Sequence, residues 1–160
     1  MGKRLLAVLF AAALIVAGCG DDDDTSSGDG SSGDGPVDLQ LSSSDLGDIL
    51  VDADGNTLYL FVPDDQGDST CYDECEANWP IVVELSSVGD GLDADLLGTT
   101  ERTTGDTQAT YNGWPLYYFV NDAAAGDTNG QGLNEVWYVL DASGNAIVAG
   151  GIPVAVGLAL

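Results

Sequence analysis

The chain has 160 residues, with 27 Asp or Glu against three Lys or Arg and no His, a formal charge of −24 at neutral pH. Such a surface repels nucleic acid and anionic lipid headgroups, because both associations depend on Lys and Arg neutralising phosphate. The lack of histidine excludes His-based triads, His-ligated haem and most transition-metal sites.

Lys3 and Arg4 precede an uninterrupted apolar run of 13 residues, Leu5 to Ala17. A permanent membrane span needs about 17 to 25 such residues, whereas this length behind a positive flank fits the hydrophobic region of a signal peptide. Val16-Ala17-Gly18-Cys19 resembles the lipobox of bacterial lipoproteins, in which the thiol receives a diacylglyceryl group before cleavage in front of it. The resemblance implies that residues 1–18 are removed and that Cys19 becomes the lipidated N-terminus. Stable anchoring takes two acyl chains, at about 0.8 kcal/mol per buried methylene, and a diacylglyceryl group supplies both. The mature chain then keeps one cation, Arg102, against 27 acids, a formal charge of −26. Its contact with the membrane is therefore expected through lipid alone, on the outer face of the cell membrane or in the cell envelope.

After Cys19, residues 20–36 contain only Gly, Asp, Ser, Thr and a terminal Pro. With no apolar side chain to offset the entropy of ordering, residues 19–36 read as a lipidated cysteine and a flexible acidic tether. Residues 37–160 are long enough for one domain with its own core,.

The pattern of that domain is mostly β with little helix. Ile49-Leu50-Val51, the turn cluster 52–56 and Leu58-Tyr59-Leu60-Phe61-Val62 form a hairpin signature,. Short helical turns are expected at Tyr72 to Asn78 and Asp93 to Leu97. Ala109-Thr110-Tyr111, Asn112-Gly113 and Trp114 to Val120 form a second hairpin signature, with Asn-Gly suited to a two-residue turn in which both positions have positive φ,. A third runs from Trp137 to Leu140 through Asp141-Ala142-Ser143-Gly144-Asn145 to Ala146-Ile147-Val148. The apolar segment 150–160 is too short to span a bilayer and is expected to add an edge strand or dock in a groove.

The first two hairpins belong to internal repeats, about 47–85 and 105–141. At an offset of 58, Gly55 matches Gly113, Leu58 Leu116, Tyr59 Tyr117, Phe61 Phe119, Asp64 Asp122 and Trp79 Trp137. A repeated unit generally buries its apolar face on its neighbour. We therefore expect two β-repeats packed about a pseudo-twofold as one sandwich- or barrel-like domain, with the two tryptophans in equivalent core positions. The pattern Tyr59-Leu60-Phe61-Val62-Pro63-Asp64 and Tyr117-Tyr118-Phe119-Val120-Asn121-Asp122 resembles the secreted repeat family of predicted lipoproteins, defined by a Y-x-(F/W/Y)-x-x-D motif. The resemblance covers roughly residues 46–141 and includes Cys71 to Cys75, Trp79-Pro80 and 126–134. It implies an exported protein and carries no biochemical activity with it.

Along a strand, Tyr59 and Phe61 share one face and Leu58, Leu60 and Val62 the other, so both faces are apolar. Core packing, with Asp64 and Asp122 fixing loops, is the expected role of the motif; a ligand platform of paired tyrosines with an acidic rim is the alternative. With Cys19 lipidated, Cys71 and Cys75 are left as a pair in an oxidising compartment, where a disulfide is expected. On a regular helix their Cβ atoms would lie about 5 to 6 Å apart, beyond the roughly 3.5 to 4.5 Å of a disulfide, so the bridge requires a turn or a distorted helix.

Asp127-Thr128-Asn129-Gly130-Gln131-Gly132 resembles the opening of an EF-hand calcium loop,. Gln131 stands where Asp or Asn is usual, Tyr138 replaces the bidentate Glu, and no helices flank the loop. The calcium candidates are Asp122, Asp127, Asn129, Gln131 and Glu135; the competing reading is a Gly-rich loop held by Asp and Asn turns. No other cofactor is expected. No nucleophile–base arrangement stands out. The expectation is a lipid-anchored, non-catalytic binding or structural module of the envelope, with an envelope protein as partner. The alternatives are an accessory subunit of an electron-transfer or metal-handling system, and a carboxylate-based enzyme acting on polysaccharide.

Overall fold

The computed structural model describes residues 38–148 and 152–154. The signal, Cys19, the tether and most of segment 150–160 lie outside the described residues. The first described elements are β1 (Leu39–Ser44) and β2 (Gly47–Asp52), an antiparallel hairpin in register from Leu39↔Asp52 to Ser44↔Gly47. The chain then turns as its Asp-Ala-Asp-Gly-Asn sequence dictates. The Asp52 carboxylate accepts from the N–H groups of Asp54 and Asn56, and Gly55 takes φ +87°. This Asx-type turn is repeated at 141–145, where Asp141 accepts from Ser143 and Asn145 and Gly144 has φ +75°,.

The return strand of the first hairpin is shorter than the sequence suggests and changes partner. Leu58 N–H still bonds Leu50 O, but β3 (Tyr59–Phe61) pairs with β7 (Trp137–Val139), Tyr59 opposite Val139 and Phe61 opposite Trp137. Pro63, which has no N–H to continue a ladder, sits in the 3₁₀ turn Val62–Asp64 that ends the strand,. In the second repeat β4 (Leu97–Glu101), β5 (Thr107–Tyr111) and β6 (Trp114–Pro115) form one antiparallel sheet. Asn112 and Gly113, at φ 50° and 78°, make the expected two-residue turn between Tyr111 and Trp114,. β8 (Ala146–Val148) follows the third turn and pairs with β9 (Ile152–Val154).

Among the described residues helix is confined to α1 (Glu74–Asn78) and short 3₁₀ turns, including Ala94–Leu96, which Asp93 caps by accepting from Asp95 N–H. The protein is thus mostly β, but its described strands fall into four small sheets, none closed into a barrel.

What joins the repeats is an exchange of segments. Tyr59 N–H bonds Tyr117 O at 2.9 Å and Tyr117 N–H bonds Tyr59 O at 3.0 Å. Val62 N–H reaches Val136 O at 2.9 Å, and its 58-residue image, Val120 N–H, reaches Asn78 O at 3.1 Å. Leu50 bonds Leu140 at 3.0 Å as Ala109 bonds Val82 at 2.8 Å. Each repeat therefore supplies the strand that satisfies the other's backbone, which a buried N–H or C=O requires. The alternation of β3 divides the interior in two. Leu58 and Leu60 join Leu50, Tyr111, Trp114 and Leu116 in one cluster, while Tyr59 joins Tyr117, Trp79, Trp137 and Val139 in the other.

Candidate functional site

The motif residues meet across the pseudo-twofold in exchanged pairs. Tyr59 OH donates to Asp122 Oδ2 at 2.7 Å, and Tyr117 OH donates to Asp64 Oδ2 at 2.6 Å. Each aspartate also holds its own loop: Asp64 Oδ1 accepts from Thr70 N and Oγ1, each at 2.7 Å, and Asp122 Oδ1 accepts from Asn129 N at 2.9 Å. Burial, reinforced by the facing carboxylate, pushes both phenols above the ordinary tyrosine range. They are held as hydrogen-bond donors, not as bases or nucleophiles.

The two locks differ in their surroundings. Asp64 is 4% exposed, and burial pushes its carboxyl up while hydrogen bonds from Tyr117 and Thr70 and the charge of Arg102 pull it down. Arg102, 3% exposed, donates from Nη1 to Ser69 and to Gln108 Oε1, and from Nη2 to Cys71 O at 2.8 Å and Glu76 Oε2 at 2.6 Å. Its guanidinium lies 4.2 Å from the centre of the Tyr72 ring. A chain of hydrogen bonds thus links the Arg102 cation through Ser69 and Tyr117 to the Asp64 carboxyl. Sequence reasoning missed this role, although Arg102 is the one Lys or Arg beyond residue 4 of the chain, a visible signal.

Four rings stack in a row around the same axis. Phe119 lies 4.3 Å from Trp79, Trp79 lies 3.8 Å from Trp137 with the planes 4° apart, and Trp137 lies 4.1 Å from Phe61. Tyr59 and Tyr117 meet Trp79 and Trp137 edge-on at 5.3 and 5.2 Å. The tryptophans occupy equivalent core positions, as the 58-residue offset implies. One side of the stack opens on a shallow groove of about 560 Å³, bordered by Asn78, Asn121 and Glu74.

The disulfide joins buried Cys71 to Cys75 in the first turn of α1, with Cα atoms 5.3 Å apart. Cys71 lies before the helix and Asp73 between them has φ 54°, so the turn that the pairing requires is present.

The calcium candidates are engaged in several ways. Asp127 Oδ2 accepts from Ala123 and Ala124 N–H, and Asn129 Nδ2 donates to Asn121 O. Gln131 turns toward the strands, donating to Ile147 O and accepting from Val139 N. Glu135 is exposed in the 3₁₀ turn Leu133–Glu135. The structure thus brings Asp122 and Asn129 together and takes Gln131 elsewhere. Among the described residues no group of three or more His, Cys, Asp or Glu side chains gathers as a metal would need. Packing gives the loop a separate reason for its glycine. A Cβ on Gly130 would stand 2.7 Å from the Trp79 ring and 2.9 Å from the Tyr59 ring.

No curated protein and no solved structure matches the chain. Residues 41–83 and 98–141 each match the family described as a secreted repeat of unknown function. These stretches contain both exchanged strands, the two stacked tryptophans and all four partners of the Tyr–Asp locks, and the chain belongs to that family of secreted repeats.

Proposed function

We propose that this exported protein is a lipid-anchored envelope module that binds or scaffolds without catalysing a reaction, held through Cys19 on the outer face of the membrane. The reciprocal lock carries this reading. Tyr59, Tyr117, Asp64 and Asp122 are engaged in joining the repeats and fixing loops, and the phenols are kept protonated. That arrangement supports a rigid display domain better than a reacting centre, which needs a nucleophile and base free to meet substrate. The run of acids that follows Cys19 in the sequence supports the anchor reading, since like charge is repelled by an anionic surface,.

A second reading, an accessory subunit of an envelope electron-transfer system, is favoured by the stacked tryptophans that border an open groove. A partner whose redox centre docks there would bring it forward.

The anchor is tested by Cys19→Ser in a bacterial host. The variant should leave the membrane fraction or keep its signal, and the wild-type mass should carry the added lipid. Unchanged fractionation with an unmodified wild-type mass would refute it.

A further inference from the structure

Three features meet at Trp79. Its indole lies 3.8 Å from that of Trp137 with the planes 4° apart, and Phe119 and Phe61 close the two ends of the pair. A positive charge on one indole is stabilised by the electron-rich face of the other. The formal charge of −24 acts in the same direction, because a negative protein lowers the energy of a positive charge within its field,. Tyr59 meets Trp79 edge-on at 5.3 Å, and its hydroxyl donates to Asp122 Oδ2 at 2.7 Å. A stacked indole pair, a phenol at its edge and a carboxylate on the phenolic proton are the parts that one-electron oxidation of a tyrosine needs.

We propose that Trp79 passes an oxidising equivalent from the groove to Tyr59. A one-electron oxidant at the groove, of the class of a metal centre in its oxidised state, takes one electron from the Trp79–Trp137 pair and is reduced. Tyr59 returns one electron to the indole cation, and the phenolic proton moves along its hydrogen bond to Asp122. The products are the reduced metal centre, neutral indoles, a neutral tyrosyl radical and a protonated carboxyl. Trp79 is the entry because it lines the groove and is the more open of the stacked pair, 6% exposed against 2% for Trp137. Burial raises the pKa of the Tyr59 phenol, so the proton does not leave before the electron does,. Gly130 N–H, 3.2 Å from the phenolic oxygen, remains as a donor to it afterwards.

The image of Tyr59 is a poorer terminus. Tyr117 meets Trp137 edge-on at 5.2 Å and donates to Asp64. Asp64 accepts two further hydrogen bonds from Thr70 and is 4% exposed, so a proton delivered there stays away from water. The Arg102 cation, joined to Tyr117 through Ser69, opposes a positive charge on that side,. Asp122 takes one further hydrogen bond, from Asn129 N–H, and is half-buried, so it can hand the proton to solvent. Of two residues that the repeat equates, the geometry selects Tyr59. This assignment rests on the second reading above, in which the groove faces an electron-transfer partner.

The test is laser-flash oxidation of the lipidated mature chain in detergent by photogenerated tris(bipyridine)ruthenium(III), followed through the visible absorption of the indolyl and phenoxyl radicals. The indolyl radical should form first and decay to phenoxyl in a first-order step whose rate is independent of protein concentration. Tyr59→Phe should lower the phenoxyl yield several-fold and prolong the indolyl radical. Tyr117→Phe, which breaks the more buried lock, should leave both unchanged. A merely structural role predicts the reverse order. Asp122→Asn keeps an acceptor for the hydroxyl but removes the base, and should slow the transfer step about tenfold. Trp79→Phe keeps a ring in the stack and should lower the phenoxyl yield as Tyr59→Phe does; the comparison of the two tyrosines stands even where this variant fails to fold. A phenoxyl yield unaffected by Tyr59→Phe overturns the proposal, as does an equal fall in Tyr117→Phe. Oxidation of Trp79 without transfer to Tyr59 refutes the relay and leaves the groove as an electron-transfer face. A chain in which neither stacked tryptophan is oxidised refutes that second reading with it and leaves the anchored display module standing.

Discussion

Replacing Tyr117 by phenylalanine deletes one buried oxygen and leaves the ring that packs edge-on to Trp137. That oxygen donates to Asp64 at 2.6 Å and meets Ser69 Oγ at 2.7 Å. A hydrogen bond to a charged group contributes about 1.5–3 kcal/mol. Asp64 is 4% exposed, so water does not take over the lost donor, and the upper end applies: about 3 kcal/mol,. Tyr59→Phe removes the image of this bond, to Asp122 at 2.7 Å. Asp122 is only half-buried, so water replaces part of the contact and the loss falls to about 1.5 kcal/mol,. Two positions equivalent in sequence should therefore differ about twofold in their contribution to stability.

The same substitution carries a pH signature. Burial raises the native pKa of Asp64 above its ordinary value of 3.8, and the Tyr117 hydrogen bond is the first of the contacts that oppose the rise. A raised native pKa means that this group's stabilisation is full below the unfolded pKa and is lost as pH rises through the native one. Tyr117→Phe removes an opposing contact and raises the native pKa further. Its penalty should therefore be larger at pH 7 than at pH 4. Repulsion among the surface acids also changes with pH, but it is common to wild type and variant and cancels in the difference. Urea unfolding followed by tryptophan fluorescence at both pH values measures this. Equal penalties at the two pH values would refute the argument, as would a Tyr59→Phe penalty matching that of Tyr117→Phe.

Gly130→Ala places a Cβ within 2.7 Å of Trp79 and 2.9 Å of Tyr59, and overpacking of this kind should cost about 2–3 kcal/mol; a wild-type melting temperature would contradict it. Arg102→Met strands the buried acceptors on Ser69, Gln108 and Cys71, for a loss of about 3 kcal/mol in denaturant unfolding; an unchanged midpoint would show that the network adds nothing net. Residues 38–90 expressed alone lack the partners of β3 and of the segment at Ile81. They should be unfolded or dimeric by circular dichroism and sedimentation, and a cooperatively folded monomer would refute the exchange as the basis of stability.

The local turns were legible because their chemistry is local. Asn112-Gly113, the Asp-x-x-Gly-Asn clusters at 52–56 and 141–145 and the short turn at Asp93 to Leu97 are each specified by residues within five positions of one another. The repeat was legible as well, and with it the equivalence of Trp79 and Trp137. Two things were not. Leu39–Ser44 forms β1 although its second half is three serines, because it covers β2 and bonds back to Ser87 and Gly89, none of which a window on the strand reveals. The partner of Tyr59–Phe61 was not legible either. Alternation gives a strand its faces but not its neighbour, and a twofold repeat allows pairing within a repeat or across repeats with the same side chains buried. The candidate site followed suit. Asp64 and Asp122 read as loop-fixing residues, while their second bonds run to tyrosines 53 and 63 residues away.

The exchange also sorts the departures from symmetry by what they do. Each repeat must hold a long loop against its half of the ring stack, and the two do so by different means. In the first, the Cys71–Cys75 bridge and the Arg102 network pin the loop beside Tyr117. In the second, Gly130 lets the backbone press on Tyr59 and Trp79, with its N–H 3.2 Å from the phenolic oxygen. Those asymmetries answer one structural need twice, and their polar groups are largely paired. Thr57 and Tyr118 break the symmetry as well: Tyr118 OH ties the 52–56 turn through Asp52 at 3.0 Å, and the Thr57 hydroxyl, like Arg102 Nε, is buried without a hydrogen-bond partner.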